Sequence, residues 1–371
     1  MDSLTQIALG ASVGVAVMGR RTAVWKAALW GAIGGTLPDL DVVFDHGSPV
    51  LNMVRHRAES HALFYLTLLA PLLAWAAAKL HGDADGFQRR AAPSLNRAPS
   101  GGSDPRNGGA WGPYFKRWWL ALWLVLVTHP FLDNMTVYGT QLLMPFSDHP
   151  FGVGSMFIID PSYTVPLMVG VVAALWLRSG RGLRWNAIAL AFSTVYLGWS
   201  MVAQHRVTTI ARASMPAPNM ATSNLLVTPS PFNTVLWRLV ATTPDQYFEG
   251  YYSLLDPAPT VQWTAHPRGA DLIAQYGGVD AVQRIASFSK GFFKMETTAQ
   301  EGHVFLTDLR MGLEPSYSFR FDLGAPSEVG TAPIRQLSMR PDIGKALPWL
   351  WQRLLGRTPV SLVTQATRSQ G

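Results

Sequence analysis

Three short motifs carry side chains suited to binding a divalent metal ion. His129 and Asp133 stand four residues apart at the end of a long apolar run. On a helix, this spacing places both side chains on one face. The other two motifs are Asp39-Leu40-Asp41 and His56-Arg57-Ala58-Glu59-Ser60-His61. Together the three motifs offer three histidines and three aspartates. This set suits Zn²⁺, Mn²⁺ or Fe²⁺ and is large enough for one or two ions.

The predicted metal ligands are Asp39, Asp41, His56, His61, His129 and Asp133. Three residues are also catalytic candidates. His61 or His129 can act as a general base instead of a ligand. Arg57 can hold a phosphate or carboxylate oxygen, or simply anchor the chain at the lipid headgroups.

Each motif has a simpler structural interpretation when it is taken alone. An Asp-x-Asp pair at a membrane edge is commonly a solvated helix end, and interfacial histidines are usually structural. Pro130 directly follows His129 and predicts that the helix kinks or ends there. Convergence favours a site, because all three motifs are expected at one membrane face and ionisable groups at membrane depth are costly.

The composition predicts a helical membrane protein. Of the 371 residues, 48% are hydrophobic and only 14% are charged, against about 25% in an average soluble domain. The 14 tryptophans fit aromatic belts at the membrane surfaces. With no cysteine, the chain has neither disulfides nor thiolate ligands. The N-terminus lacks the basic region of a cleavable signal, so the first helix is expected in the mature protein.

Six apolar segments are expected to cross the bilayer. They are Leu4–Met18, Val24–Leu37, Ala62–Leu80, Tyr114–Phe131, Tyr163–Leu177 and Trp185–Ala203. The first two are short and rich in glycine and alanine, so they are expected to pack closely together. The bilayer is thus the expected partner, and no nucleic-acid partner is expected despite the net charge of +7.

The basic residues predict the orientation of these segments. Lysines and arginines concentrate in the first, third and fifth connections, whereas residues 129–162 contain none. By the positive-inside rule, the basic connections face the cytoplasm and the N-terminus lies outside. All three motifs then lie on the outer side, the periplasm of a bacterium.

Two further regions complete the predicted organisation. Residues 81–113 are rich in glycine, proline, serine and arginine, and predict a flexible cytoplasmic loop within a transmembrane domain of residues 1–205. Residues 206–371 contain no apolar run long enough to span. They predict a soluble α+β domain with a small antiparallel sheet, located in the periplasm.

The order of the motifs resembles the bacterial YdjM-like family over about residues 1–170. The resemblance rests on four stretches: Met1-Asp2-Ser3-Leu4-Thr5-Gln6, Leu37-Pro38-Asp39-Leu40-Asp41, His56–His61, and Thr128–Asp133 with Thr136-Val137-Tyr138-Gly139-Thr140. Family members are described as LexA-regulated, membrane-bound, metal-dependent hydrolases of the inner membrane. The resemblance implies a metal site, with zinc among the candidates. Many members have a histidine where this chain has Gln6, so the site has one ligand fewer or uses the Gln6 amide oxygen.

Three functions are compatible with the sequence. The first is a membrane-bound metal-dependent hydrolase that attacks a phosphoester or related bond of a small molecule, a lipid or another envelope substrate. The second is metal-ion or proton-coupled transport, since intramembrane His and Asp also mark ion pathways. The third is a non-catalytic envelope scaffold that presents the C-terminal domain.

Overall fold

The computed structural model describes residues 1–81, 113–215, 224–298, 302–338 and 342–359. Within these ranges, seven α-helices make up the N-terminal region. They are α1 (Ser3–Met18), α2 (Val24–Thr36), α3 (Pro49–Arg55), α4 (Leu63–His81), α5 (Pro113–Asn134), α6 (Pro161–Leu177) and α7 (Gly180–Ala213). Two 3₁₀ helices, Pro38–Val43 and Glu59–His61, carry the Asp-x-Asp motif and His61.

Two of the described helices, α4 and α7, are long and apolar enough to cross a membrane. The expected six spans are therefore not confirmed, although a helix covers each predicted segment. Helices α1 and α6 are apolar but only 16 and 17 residues long. The expected close packing is present, since α1 and α2 touch backbone to backbone at Gly10 and Gly31.

Two helices extend beyond their predicted ends. Helix α5 continues through Pro130 to Asn134, so the proline does not end it. Helix α7 continues past Ala203 to Ala213. In this extension, Val207 and Ala211 are fully buried against the C-terminal region. Helix α7 is therefore amphipathic beyond Ala203, where the predicted apolar segment ends.

The C-terminal region contains two four-stranded antiparallel sheets, where the sequence predicted one small sheet. The first has the order β1 (Asn224–Pro229), β2 (Leu236–Thr242), β3 (Gln246–Ser253) and β4 (Trp263–Pro267). The second has the order β10 (Arg335–Leu337), β9 (Arg320–Asp322), β6 (Val304–Asp308) and β5 (Phe293–Thr297). The described part of the C-terminal region also contains a hairpin of β7 (Gly312–Leu313) and β8 (Ser316–Tyr317). Its three described helices are α8 (Ala270–Tyr276), α9 (Asp280–Phe288) and α10 (Ile343–Leu354).

The C-terminal region packs directly on the segments that hold the predicted ligands. Its apolar core is continuous with Val50 and Met53 of α3 and with Tyr138. Arg310, paired with Asp308, donates a hydrogen bond of 2.7 Å to the Tyr138 carbonyl oxygen. Through these contacts, the C-terminal region packs on the loops around the motifs from outside the helical bundle.

Parts of the predicted organisation stay predictions. Nearly all of the predicted flexible loop of residues 81–113 lies outside the described residues. The domain boundary after residue 205 and the periplasmic location of residues 206–371 also stay predictions.

A buried ion pair at the second sheet gives a pH-dependent contribution to stability. Lys294 donates to Glu314 at 2.8 Å, and the Tyr247 hydroxyl donates to the same carboxylate. Burial raises the pKa of Glu314, but Lys294 and Tyr247 outweigh burial and hold that pKa below its usual 4.5. A carboxylate with a depressed pKa in the folded state stabilises the fold above 4.5 and ceases to do so as the pH falls through the folded-state pKa.

Glu314→Gln is therefore expected to lower the unfolding free energy of the C-terminal region by about 1–3 kcal/mol at pH 7. The loss should shrink as the pH falls below 4.5, because the wild-type carboxyl then protonates as well. Urea unfolding followed at pH 7 and below pH 4 measures both values. An equal loss at both pH values would contradict the assignment.

Candidate metal centre

Four side chains from three segments converge at the C-terminal end of α5. Asp39, His61, His129 and Asp133 each offer one ligand atom, and these atoms lie within 4.8 Å of one another. Three of the four side chains are buried, and Asp39 is partly exposed. The predicted contact of His129 and Asp133 across one helical turn is present, at 3.4 Å, despite Pro130. The arrangement can hold a metal ion.

The backbone of α2 fixes the tautomer of His129. Its Nδ1 lies 2.7 Å from the carbonyl oxygen of Gly35. A carbonyl oxygen only accepts hydrogen bonds, so Nδ1 carries the hydrogen and Nε2 of the neutral ring presents a lone pair. That Nε2 faces the other three side chains of the group.

Ser60 and Asp41 fix His61 in the same way. The Ser60 hydroxyl lies 2.7 Å from Asp41 Oδ2 and 2.8 Å from His61 Nδ1. A carboxylate only accepts, so the hydroxyl hydrogen goes to Asp41 and the Nδ1–H of His61 donates to Ser60 Oγ. His61 Nε2 then also presents a lone pair, 3.1 Å from His129 Nε2.

The centre therefore brings together lone pairs that repel one another unless a cation lies among them. Asp133 Oδ2 lies 3.1 Å from His61 Nε2, and Asp39 Oδ1 lies 3.4 Å from His129 Nε2. Asp39 Oδ2 and Asp133 Oδ2 are buried and have no hydrogen-bond partner among the described residues. Two imidazole nitrogens and two carboxylates form a common ligand set for zinc, manganese and iron, so the residues fit a divalent metal.

Positive and neutral donors surround the second oxygen of Asp133. Its Oδ1 accepts a 3.1 Å hydrogen bond from Gln6 Nε2, contacts the amino group of Met1, and lies 3.4 Å from Arg57. The Gln6 amide oxygen is buried and accepts no hydrogen bond from the residues in the described ranges. Gln6 thus lies at the centre but turns its nitrogen, not its oxygen, toward Asp133.

Arg57 is buried beside the centre in an unusual backbone conformation. Its φ of 66° lies in the left-handed region, where a non-glycine residue is strained. The guanidinium donates to Thr136 at 3.1 Å and stacks over the Tyr138 ring at 5.0 Å, while its Nε has no hydrogen-bond partner in the part of the chain that the structure describes. A buried cation is thus held next to the four ligand side chains.

Asp41 and His56 lie beside the group of four and not within it. Asp41 Oδ1 lies 3.0 Å from His56 Nδ1, and the backbone N–H of Arg57 donates to Asp41 Oδ2 at 3.0 Å. His56 and His61 have ring centroids 6.0 Å apart. Ligand roles for Asp41 and His56 stay predictions.

Hydrogen bonds from His56 and Ser60 hold Asp41 in the charged form. Burial raises the pKa of Asp41, but His56 and Ser60 outweigh burial and hold that pKa at about 2. Charged carboxylates are the form that binds a metal.

Sequence reasoning missed several residues that orient the centre. Ser60, the Gly35 carbonyl and Thr136 support His61, His129 and Arg57 respectively. Ser60 and Thr136 lie inside the sequence motifs, but nothing in their spacing indicates which side chain each one supports. A backbone carbonyl such as that of Gly35 leaves no signal in a sequence.

The chain is similar to one protein family and to a protein of Bacillus subtilis. The sequence profile of the family described as "YdjM inner membrane protein" matches residues 1–207, which contain every ligand candidate. A Bacillus subtilis (strain 168) protein described as "Uncharacterized protein YfhP" is 21% identical over 338 residues, or 86% of this chain and 89% of that protein. No solved structure matches the chain. Because the family profile covers more than half of its length, the chain belongs to the YdjM inner membrane protein family.

Proposed function

We propose that the protein is a metal-dependent hydrolase of the inner membrane that cleaves a phosphoester or related bond. The observation that carries the proposal is the convergence of two imidazole lone pairs and two carboxylates beside a buried arginine. Asp39, His61, His129 and Asp133 would hold the metal, which would supply Lewis-acid activation of water and of a phosphoryl oxygen when bound. The metal is zinc, manganese or iron, and the group of four accommodates one ion.

Arg57 orients the substrate in this proposal. Its guanidinium is fixed by Thr136 and Tyr138, and its Nε is free to donate. Arginine forms strong charge-assisted hydrogen bonds to phosphoryl oxygens. The strained backbone at Arg57 is the local cost of holding this cation against the metal ligands.

The pair formed by Asp41 and His56 supplies the general base. Asp41 accepts the Nδ1–H of His56, which leaves His56 Nε2 with a lone pair. The His56 side chain is 29% exposed, so a proton taken from water can pass to the solvent. Asp41 also supports His61 through Ser60 and so links the base to the metal ligands.

The outer side of the inner membrane is the proposed location of the centre in a multi-pass arrangement. This orientation is supported by the basic residues of the first, third and fifth connections and by their absence from residues 129–162. The C-terminal region then lies in the periplasm, since it packs on the loops that hold the ligands.

A hydrolysis assay separates this function from transport. Purified protein reconstituted with Zn²⁺ or Mn²⁺ is expected to hydrolyse bis(p-nitrophenyl) phosphate. Asp39→Asn should lower the rate by roughly 100-fold or more, because it weakens a metal ligand. Asp45→Asn, an exposed aspartate six residues further on, is the matched control and should leave the rate unchanged.

The same preparations in proteoliposomes test the alternative. Metal uptake that Asp39→Asn abolishes, in protein with no hydrolytic activity, would replace the hydrolase by a transporter. Inactivity in both assays would favour the scaffold function.

A further inference from the structure

Four of the five residues from Leu40 to Phe44, beside the metal centre, expose large apolar side chains. Leu40, Val42, Val43 and Phe44 are 54%, 75%, 73% and 66% exposed, and only Asp41 interrupts them. We call these four residues the apolar rim. They lie on and just after the 3₁₀ helix Pro38–Val43, which also carries Asp39. On a surface facing water, such a cluster would be unfavourable, so it is expected to contact lipid or an apolar ligand.

The rim lies at the accessible side of the metal centre. His61, His129 and Asp133 have side chains that are at most 1% exposed, whereas that of Asp39 is 17% exposed. Asp39 directly precedes the rim. A ligand that reaches the metal past Asp39 must therefore lie next to the rim.

The rim also continues the outer apolar surface of α2. Trp25, Leu29 and Ile33 recur every fourth residue on one face of that helix and are 53%, 46% and 38% exposed. The opposite face of α2 is buried against α1 and α5, where Gly31 and Gly34 lie. In an inner membrane protein, the exposed face contacts acyl chains. An apolar path thus leads from the bilayer along α2 to the rim and Asp39.

With a divalent ion bound, the inner end of this path would carry positive charge. Arg57 is buried against Asp133, and the four ligand side chains are built for a divalent cation. We propose that the substrate is an amphiphile, with its hydrocarbon chain on the apolar rim and a phosphorylated headgroup at Arg57 and the metal. This inference rests on the proposed hydrolase function and adds the substrate class.

The reaction balances with water as the only co-substrate. An oxygen of water bonds to phosphorus, and the bond from phosphorus to the leaving alcohol oxygen breaks. One proton of the water ends on the alcohol and the other on the phosphate product. Both electron pairs remain on oxygen, so no oxidant or reductant takes part.

Two esters with the same reacting bond test the substrate class. Hexadecyl p-nitrophenyl phosphate and ethyl p-nitrophenyl phosphate release the same leaving group and differ only in chain length. In protein held in lipid nanodiscs, kcat/KM is expected to be at least about 10-fold higher for the hexadecyl ester, because burial of each methylene is favourable. Val42→Ser/Val43→Ser should remove most of this preference and leave the ethyl ester within about twofold of wild type.

A double substitution on a different lipid-facing surface is the matched control. Val169→Ser/Val172→Ser on α6 alters two valines that are 59% and 56% exposed, and it should keep the preference for the hexadecyl ester. Equal rates for the two esters in wild type would overturn the inference and leave the hydrolase function intact. An equal loss of kcat/KM on both esters in the rim variant would also overturn the inference and leave the hydrolase function intact.

Hexadecylphosphonate has no ester bond to break. Its binding therefore tests the amphiphile site even if neither ester is hydrolysed. Calorimetry with metal-loaded nanodiscs should show binding that the rim variant weakens by about 10-fold or more and the control variant does not. Inert esters with such binding would reject hydrolysis and support the amphiphile site. Binding that the rim variant leaves unchanged would reject the site.

Discussion

His129→Ala is expected to abolish stoichiometric metal binding and to lower hydrolysis by roughly 100-fold or more. The substitution removes one of four ligand atoms and leaves Asp39 and Asp133 facing His61 alone. Metal content by mass spectrometry of the purified variant, and its rate with bis(p-nitrophenyl) phosphate, measure the two effects. Both should fall together, because the metal is needed for the chemistry.

His56→Ala is the informative control for this result. His56 lies outside the group of four and contacts Asp41. The His56→Ala variant is expected to keep the metal. Its hydrolysis rate should fall by about 10²- to 10⁴-fold, the usual contribution of a general base. Metal loss in His56→Ala equal to that in His129→Ala would contradict the division between ligands and base. Full metal content in His129→Ala would contradict the site itself.

Gly31→Ala is expected to disrupt the packing of α1 on α2. A Cβ at Gly31 would lie 2.2 Å from the carbonyl oxygen of Gly10, and one at Gly10 would lie 2.2 Å from that of Gly31. The two backbones must separate, which is expected to cost about 1–3 kcal/mol of stability. Because α2 ends beside Asp39 and offers the Gly35 carbonyl to His129, metal affinity should fall as well.

Gly198→Ala on α7 is the matched control, since a Cβ there meets nothing within 4 Å. It should be neutral or stabilise the helix by about 0.5–1 kcal/mol, because alanine favours helix more than glycine does. Thermal unfolding in one detergent, with each melting temperature measured with and without added metal, compares the two variants. Equal melting temperatures for Gly31→Ala and wild type would show that the helices tolerate a methyl group at their crossing.

Periodicity and residue type were enough to predict the helices and to name the four residues that converge at the centre. The apolar runs set α1, α2, α4 and α6 to within a few residues of their observed bounds. The i, i+4 spacing correctly paired His129 with Asp133, although Pro130 lies between them. A proline in the last turns of a helix need not end it, which is why α5 reaches Asn134.

Tertiary contacts explain what the sequence did not predict. Helix α7 runs on to Ala213 because the C-terminal region buries Val207 and Ala211, and no local pattern anticipates that surface. Strand β4 is an edge strand with few buried side chains, so its alternation is weak. Asp41 and His56 have the right residue types for ligands and lie 3.0 Å from each other, and spacing alone cannot distinguish a ligand from a residue beside the centre.

X-ray absorption spectroscopy of the purified protein, with metal content determined on the same sample, tests the central claim most directly. We predict close to one transition-metal ion per chain, with two imidazole nitrogens and carboxylate oxygens at about 2.0–2.2 Å. The imidazole scattering should decrease in His61→Ala and His129→Ala and persist in His56→Ala. A protein that stays free of metal after incubation with Zn²⁺, Mn²⁺ and Fe²⁺ would contradict the account, because a shared proton would then relieve the repulsion among the four side chains.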